Sequence, residues 1–152
     1  MAKNVFISEK EFLDGKKVFS KELQEEISKT LEAIDENTLQ KRVAQVTEKI
    51  DCTACANCCK KLIPGFNDED INRISKHLQI TRKEFLKKYL KKNSEKTYEM
   101  KQAPCLFLKD NKCSIYEIRP DVCRKYPRIN KKVNSYDLAS NAVICPIVGN
   151  VF

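Results

Sequence analysis

The run Cys52-Thr53-Ala54-Cys55-Ala56-Asn57-Cys58-Cys59 places four thiols in eight positions, and four more follow at Cys105, Cys113, Cys123 and Cys145. Thiolates bind zinc and hold iron–sulfur clusters, and two-residue spacers let a chain curl so that successive sulfurs face one centre. Isolated free cysteines are often buried as small apolar fillers, but fillers have no reason to crowd together. All eight are therefore candidate metal ligands. Zinc and iron both stay open at this level. A Cys-x2-Cys-x2-Cys run and a Cys-Pro pair such as Cys145-Pro146 occur in bacterial ferredoxins, yet here the fourth cysteine follows directly on the third. Structural zinc sites usually pair two separate two-cysteine knuckles, and only the first is present.

Geometry limits how the thiols share a metal. On one straight helix, Cys52 and Cys59 would lie about 10.5 Å apart along the axis at 1.5 Å per residue. Two sulfurs on one tetrahedral zinc sit only about 3.8 Å apart. Either the chain curls around the centre or the ligands divide between centres. Adjacent residues such as Cys58 and Cys59 also point in different directions in a helix or a strand. The expected arrangement is two centres, each drawing thiols from both the early and the late cysteines. Cys58 and Cys59 are not expected both to serve the metal of Cys52.

Two arginines stand out among the other residues. Arg119 and Arg124 can donate hydrogen bonds to thiolates or to an anionic substrate, as outer partners of a metal site. The competing reading pairs them with Glu117, Asp121 or the acidic turn Asp68-Glu69-Asp70. The lone His77 falls on the polar side of a helix and reads as a surface residue rather than a ligand. Tyr116 and Tyr126 read as packing residues.

The positioning elements are mostly helical. Ser8 to Glu11 forms a capping box before Phe12 and Leu13, with Gly15 as a break. Val18, Phe19, Leu23, Ile27, Leu31 and Ile34 then recur at helical steps. Asp35-Glu36-Asn37 interrupts, Asn37 with Gln40 supplies a second capping signal, and Leu39, Val43, Val46 and Ile50 carry the period to the first cysteine. Pro64-Gly65 marks a turn. Asn67 caps a helix with Ile71, Ile74 and Leu78, and Thr81 to Glu84 opens another with Phe85, Leu86, Tyr89 and Leu90. Tyr98 to Met100 reads as a short strand. Leu106-Phe107-Leu108 and Ser114-Ile115-Tyr116 flank Lys109-Asp110-Asn111-Lys112 as a hairpin. Pro120 suits the first turn of a helix with Val122 and Cys123, and Asn134 or Ser135 starts a last one.

Composition agrees. Three glycines, no tryptophan, 41% apolar and 33% charged residues favour helices over a sandwich or barrel. The expected fold is mainly α with a small β-hairpin: N-terminal helices over 1–46, then a compact helical domain over 47–152 organised around cysteine-ligated metal. The first residues lack the apolar core and cleavage site of a signal peptide, and no stretch approaches the ~18 apolar residues of a membrane span. A reducing, cytoplasmic location follows as an expectation, with cysteines as ligands rather than a secreted disulfide framework. The formal charge of +8 is uneven, since residues 51–152 carry 20 Lys/Arg against 11 Asp/Glu. A divalent ion on four thiolates carries about −2, so two such sites would lower +8 to about +4. Metal–thiolate charge balance therefore explains much of the excess. A basic zinc module binding nucleic acid is the alternative, without a zinc-finger or aromatic–basic signature to support it.

Cys52-x2-Cys55-x2-Cys58-Cys59, Ala103-Pro104-Cys105-Leu106-Phe107-Leu108, and Cys113-Ser-Ile-Tyr116-Glu-Ile-Arg119-Pro120-Asp-Val-Cys123-Arg124-Lys-Tyr126-Pro127 stand in order. This pattern, over about residues 47–148, resembles the CxxCxxCC cysteine-cluster family, also called YkgJ-like, a zinc- or iron-chelating domain with the flagellin N-methylases as one branch. The resemblance implies metal chelation and, for most members, no established reaction. The branch suggests a rival activity, methyl transfer from S-adenosylmethionine to protein lysine. Against it, the chain is short and has no Gly-rich strand–helix turn for a nucleotide-like cofactor. Whether the protein is an enzyme, which residues would be catalytic, and what protein partner it has are open from sequence.

Overall fold

The computed structural model describes residues 19–152. The expected capping box at Ser8–Glu11, the Gly15 break and Val18 lie outside the described residues. The fold is mainly helical with two small antiparallel sheets, as composition predicts. The chain forms two compact units, one containing the described residues up to Asn57 together with Pro127–Phe152, the other Cys58–Tyr126.

Among the described residues, the regular elements of the first unit are all helices. Helix α1 (Lys21–Ala33) starts at Ser20, whose side chain accepts the Leu23 N–H. Helix α2 (Glu36–Thr47) starts two residues earlier than Asn37 would place it, because Asp35 accepts the Thr38 N–H at 2.7 Å and is the cap. Gln40 instead donates to Glu36 and to the Ile129 carbonyl at 2.9 Å. A short α3 (Cys52–Cys55) follows, and the unit closes with α8 (Ser135–Ala142), capped by Asn134, and α9 (Pro146–Val151). Helix α1 packs on α8, α2 on α9, and α8 on α9. Ile27, Leu39, Leu138 and Val148 are fully buried between them. Each such side chain contributes about 1.5–3 kcal/mol by leaving water.

The second unit begins in α4 (Asn57–Lys61), which straddles the boundary, and then carries β1 (Gly65–Phe66). Pro64-Gly65 therefore leads into a strand rather than a turn, with Gly65 opposite Glu99. Asn67 caps α5 (Asp68–His77) as expected, and with Asp70 it makes a full capping box; the expected box of Thr81 with Glu84 opens α6 (Arg82–Tyr89). Leu90 is not helical. It opens strand β2 (Leu90–Lys92), which pairs with β3 (Tyr98–Met100), and β1 pairs on the other side of β3. The hairpin is shorter than its flanking apolar triplets suggested: β4 (Leu108–Lys109) pairs with β5 (Lys112–Cys113). Asp110 and Asn111 make its two-residue turn at φ 48° and 63°, a left-handed conformation that Asp and Asn tolerate. A 3-10 turn (Tyr116–Ile118) and α7 (Asp121–Lys125) complete the unit. Its core joins Ile71, Ile74, Phe85 and Met100 to Phe107 and Ile115. Phe107 stacks on Tyr89 with ring centres 4.6 Å apart. Among the described residues, no helix is long and apolar enough to cross a membrane.

Candidate metal centre

The first cysteine run is not one straight helix. Helix α3 ends after Cys55 because Ala56 turns left-handed at φ 50°, its N–H bonded to the Cys52 carbonyl, and the chain restarts as α4. An alanine pays roughly 1–2 kcal/mol for that conformation. The break falls just before the unit boundary: Cys52 and Cys55 precede it, and Cys58 and Cys59 follow it.

In the second unit five thiols gather. The Cys105 N–H donates to the Cys59 carbonyl at 2.8 Å, so the loop before the hairpin is bolted to the Cys58-Cys59 step. Phe107 and Ile115, each two residues past a cysteine, are buried anchors that fix Cys105 and Cys113 at the edge of the core. Cys123 comes from α7, entered through Pro120. All five are half-buried. A hydrogen bond from the Cys59 thiol holds Cys58 down at about 7, with backbone N–H groups and the Arg119 charge helping against burial. Cys59 is pushed up by that same bond, by burial, and by the charges of Cys58, Cys113 and Cys105. Burial chiefly raises Cys105 and Cys113, and pushes Cys123 up to about 12, where the charges of Cys105, Cys58 and Cys113 add to it. These mutual effects mean that Cys58, Cys105 and Cys113 lie within electrostatic reach of one another and of both Cys59 and Cys123. Among the described residues, no three His, Cys, Asp or Glu side chains lie close enough together to hold a metal ion as they stand. Ligation requires the shared proton to leave and the sulfurs to draw together.

The two arginines separate. Arg119 stacks over the Tyr116 ring with its guanidinium carbon 4.0 Å from the centroid, and donates to the Tyr116 carbonyl at 2.6 Å. Its charge acts on Cys58, Cys113 and Cys123. Arg124 turns to the Glu117 carbonyl, 3.0 Å away. Neither forms a salt bridge among the described residues. The acidic turn is engaged by other cations: Arg82 holds Asp68, and Arg73 holds Asp70 at 2.7 Å. His77 is exposed, as expected.

Sequence reasoning missed Asp70 and Arg73. Asp70 is 1% exposed and accepts the Asp121 N–H at 3.1 Å as well as the Arg73 guanidinium. Arg73 also donates to the Arg119 carbonyl at 3.1 Å. The pair clamps the Arg119–Asp121 turn, which delivers both Arg119 and Cys123, onto the start of α5. An Asp at the third position of a capping box was the visible signal. Its second role, 51 residues further on, left none.

In the first unit Cys55 and Cys145 are buried and Cys52 is exposed. The Asn57 amide, itself buried, donates to the Ile144 carbonyl. That bond pins the chain two residues after Cys55 to the residue before Cys145. None of the eight cysteines, all within the described residues, is in a disulfide.

A sulfur-only donor set, half-buried and flanked by a guanidinium, is suited to zinc or iron and not to hard cations such as magnesium or calcium. Fold and site thus define a helical, thiolate-rich metal-chelating protein. The chain belongs to the CxxCxxCC family, described as a putative zinc- or iron-chelating domain, whose family model matches residues 51–146. An uncharacterized protein of Methanocaldococcus jannaschii is 33% identical over 96 residues, covering 57% of this chain and 52% of that protein. The chain therefore spans about half the length of this curated relative. No solved structure matches the chain.

Proposed function

We propose that Cys58, Cys59, Cys105, Cys113 and Cys123 hold one zinc- or iron-containing centre, and that Cys52, Cys55 and Cys145 belong to a second donor group. The observation that supports this reading is that Cys58, Cys105 and Cys113 act electrostatically on one another and on both Cys59 and Cys123, so that five thiols from three separate stretches of one unit share one neighbourhood. Each donor group then uses thiols from both the early and the late cysteines. Arg119, beside the sulfurs, would balance thiolate charge, and Arg124 would fasten the turn that carries it.

The charge distribution supports the same reading. Residues 58–126 carry 17 Lys/Arg against 9 Asp/Glu, which equals the +8 of the whole chain. Positive charge is thus concentrated in the unit that would accumulate thiolates. Binding of nucleic acid through this excess would be weak, non-specific and salt-sensitive. A reducing cytoplasm suits a protein whose function needs its thiols free of disulfides.

The test is metal analysis and visible absorption of protein purified without oxygen, alongside Cys113→Ser and Cys145→Ser. Charge-transfer colour identifies iron–sulfur; colourless protein with stoichiometric zinc identifies a zinc site. Two donor groups predict that each variant loses a different part of the metal. Loss of all metal from both variants would instead mean a single centre.

A further inference from the structure

We propose that the cleft between the 128–134 loop and α8 binds a small anion carrying a phosphate or carboxylate group. The cleft is shallow and open to solvent, with a volume of about 450 Å3. Two cations line it, Arg128 and Lys132. Neither side chain has a hydrogen-bond or salt-bridge partner among the described residues, although the Lys132 charge also acts on the Glu36 carboxylate, which is not part of the lining.

The loop is not slack. Ile129 is buried and its carbonyl accepts from Gln40. The Lys131 N–H donates to Glu36 at 2.9 Å, and the Lys131 ammonium to the Ile34 carbonyl at 2.7 Å. The Lys132 N–H is held by Asn130 at 2.9 Å. Of three cations in five residues, Lys131 is therefore spent on the corner between α1 and α2, while Arg128 and Lys132 are presented to the cleft.

The opposite wall is the polar stripe of α8. Leu138, Ala139 and Ala142 bury one side of that helix. Asp137, Ser140 and Asn141, spaced to share one face, line the cleft. The Asp137 carboxylate accepts from the Asn134 amide at 2.8 Å, so it is engaged as part of the helix start. The Ser140 hydroxyl and the Asn141 amide remain as neutral donors. Two cations against one engaged carboxylate leave the lining positive, with hydroxyl and amide donors beside it. That is the complement of a phosphate or carboxylate.

The experiment titrates inorganic phosphate and, separately, malonate into the anaerobically purified full chain at constant ionic strength, by calorimetry and amide NMR. Arg128→Gln and Lys132→Gln test the site; Lys109→Gln, on the hairpin, controls for net charge. Phosphate, malonate or both should bind and shift resonances within 128–141. Each site variant should weaken binding about tenfold or more, the loss expected for one charge-assisted hydrogen bond, and the control should stay within about twofold. Phosphate alone identifies a phosphoryl ligand, malonate alone a carboxylate, and both the shared anion chemistry. Both site residues are exposed, and Arg128→Lys keeps the charge should the glutamine variant misfold. Binding of neither anion, binding unchanged in the site variants, or equal weakening in the control would overturn the proposal.

Discussion

Replacing Asp70 with Ala should unlock the turn that carries Arg119 and Cys123. The buried carboxylate accepts three hydrogen bonds: from Arg73 at 2.7 Å, from the Asp121 N–H at 3.1 Å and from the Asn67 N–H at 3.2 Å. Removing one partner of a fully buried ion pair costs about 3–5 kcal/mol. The Arg73 side chain is 35% exposed, so solvent screens its end and the lower figure applies, about 3 kcal/mol. In a unit of about 70 residues that corresponds to a fall in Tm of roughly 12–24 °C. Circular dichroism melts of the metal-loaded protein measure this loss, and a competing chelator measures metal retention in parallel. Asp70→Asn, which keeps an acceptor but not the charge, should fall between wild type and Asp70→Ala. Arg73→Ala combined with Asp70→Ala should cost less than the two single losses added together. A Tm within about 4 °C of wild type, with metal held as tightly, would refute the clamp.

Arg119→Lys should weaken metal retention, because a point charge cannot both stack on Tyr116 and face the sulfurs, whereas Arg124→Lys should not; chelator competition distinguishes them. The metal-free protein should gain stability as pH rises from about 7 towards 9, where the unfolded Cys58 still binds a proton that the folded one has released. Above 9 it should lose stability, as Cys59, Cys105, Cys113 and Cys123 keep protons that the unfolded chain gives up; denaturant titration across that range shows the maximum or its absence. Removing metal with a chelator should loosen residues 58–126 while the helical signal of α1 and α2 persists, which hydrogen exchange resolves; equal protection throughout would show that the metal is not structural.

Local chemistry was legible wherever it acts over a few residues. Asn67 and Thr81 announced their helices because cap and acceptor are three residues apart, and both boxes formed. The hairpin was visible as two apolar triplets around a polar turn. Its true strands are shorter and reach into that turn, because Phe107 and Ile115 serve as core anchors and only Leu108-Lys109 and Lys112-Cys113 pair across Asp110-Asn111. Leu90 kept the helical period, yet tertiary pairing with Met100 drew it into a strand. The cysteines were legible as donors, and the impossibility of a straight ligand-bearing helix followed from its pitch. That Ala56 would supply the break was not, since alanine gives no sign of a left-handed turn. The Asp70–Arg73 clamp joins groups about 50 residues apart, and no local pattern encodes it.

The chain leaves the first unit at Asn57 and returns to it at Pro127, so the two units are completed in the reverse of the order in which they begin. A ribosome that has released residue 126 has delivered every residue of the second unit, including five of the eight cysteines. The first unit still waits for α8 and α9, without which Ile27 and Leu39 have no opposing helices to bury them. On the proposed ligand assignment the inserted unit would be able to collect metal during synthesis, before the helices that precede it have their core. Scarcity of metal in the growing cell would then be felt on the nascent chain, earlier than any property of the finished protein.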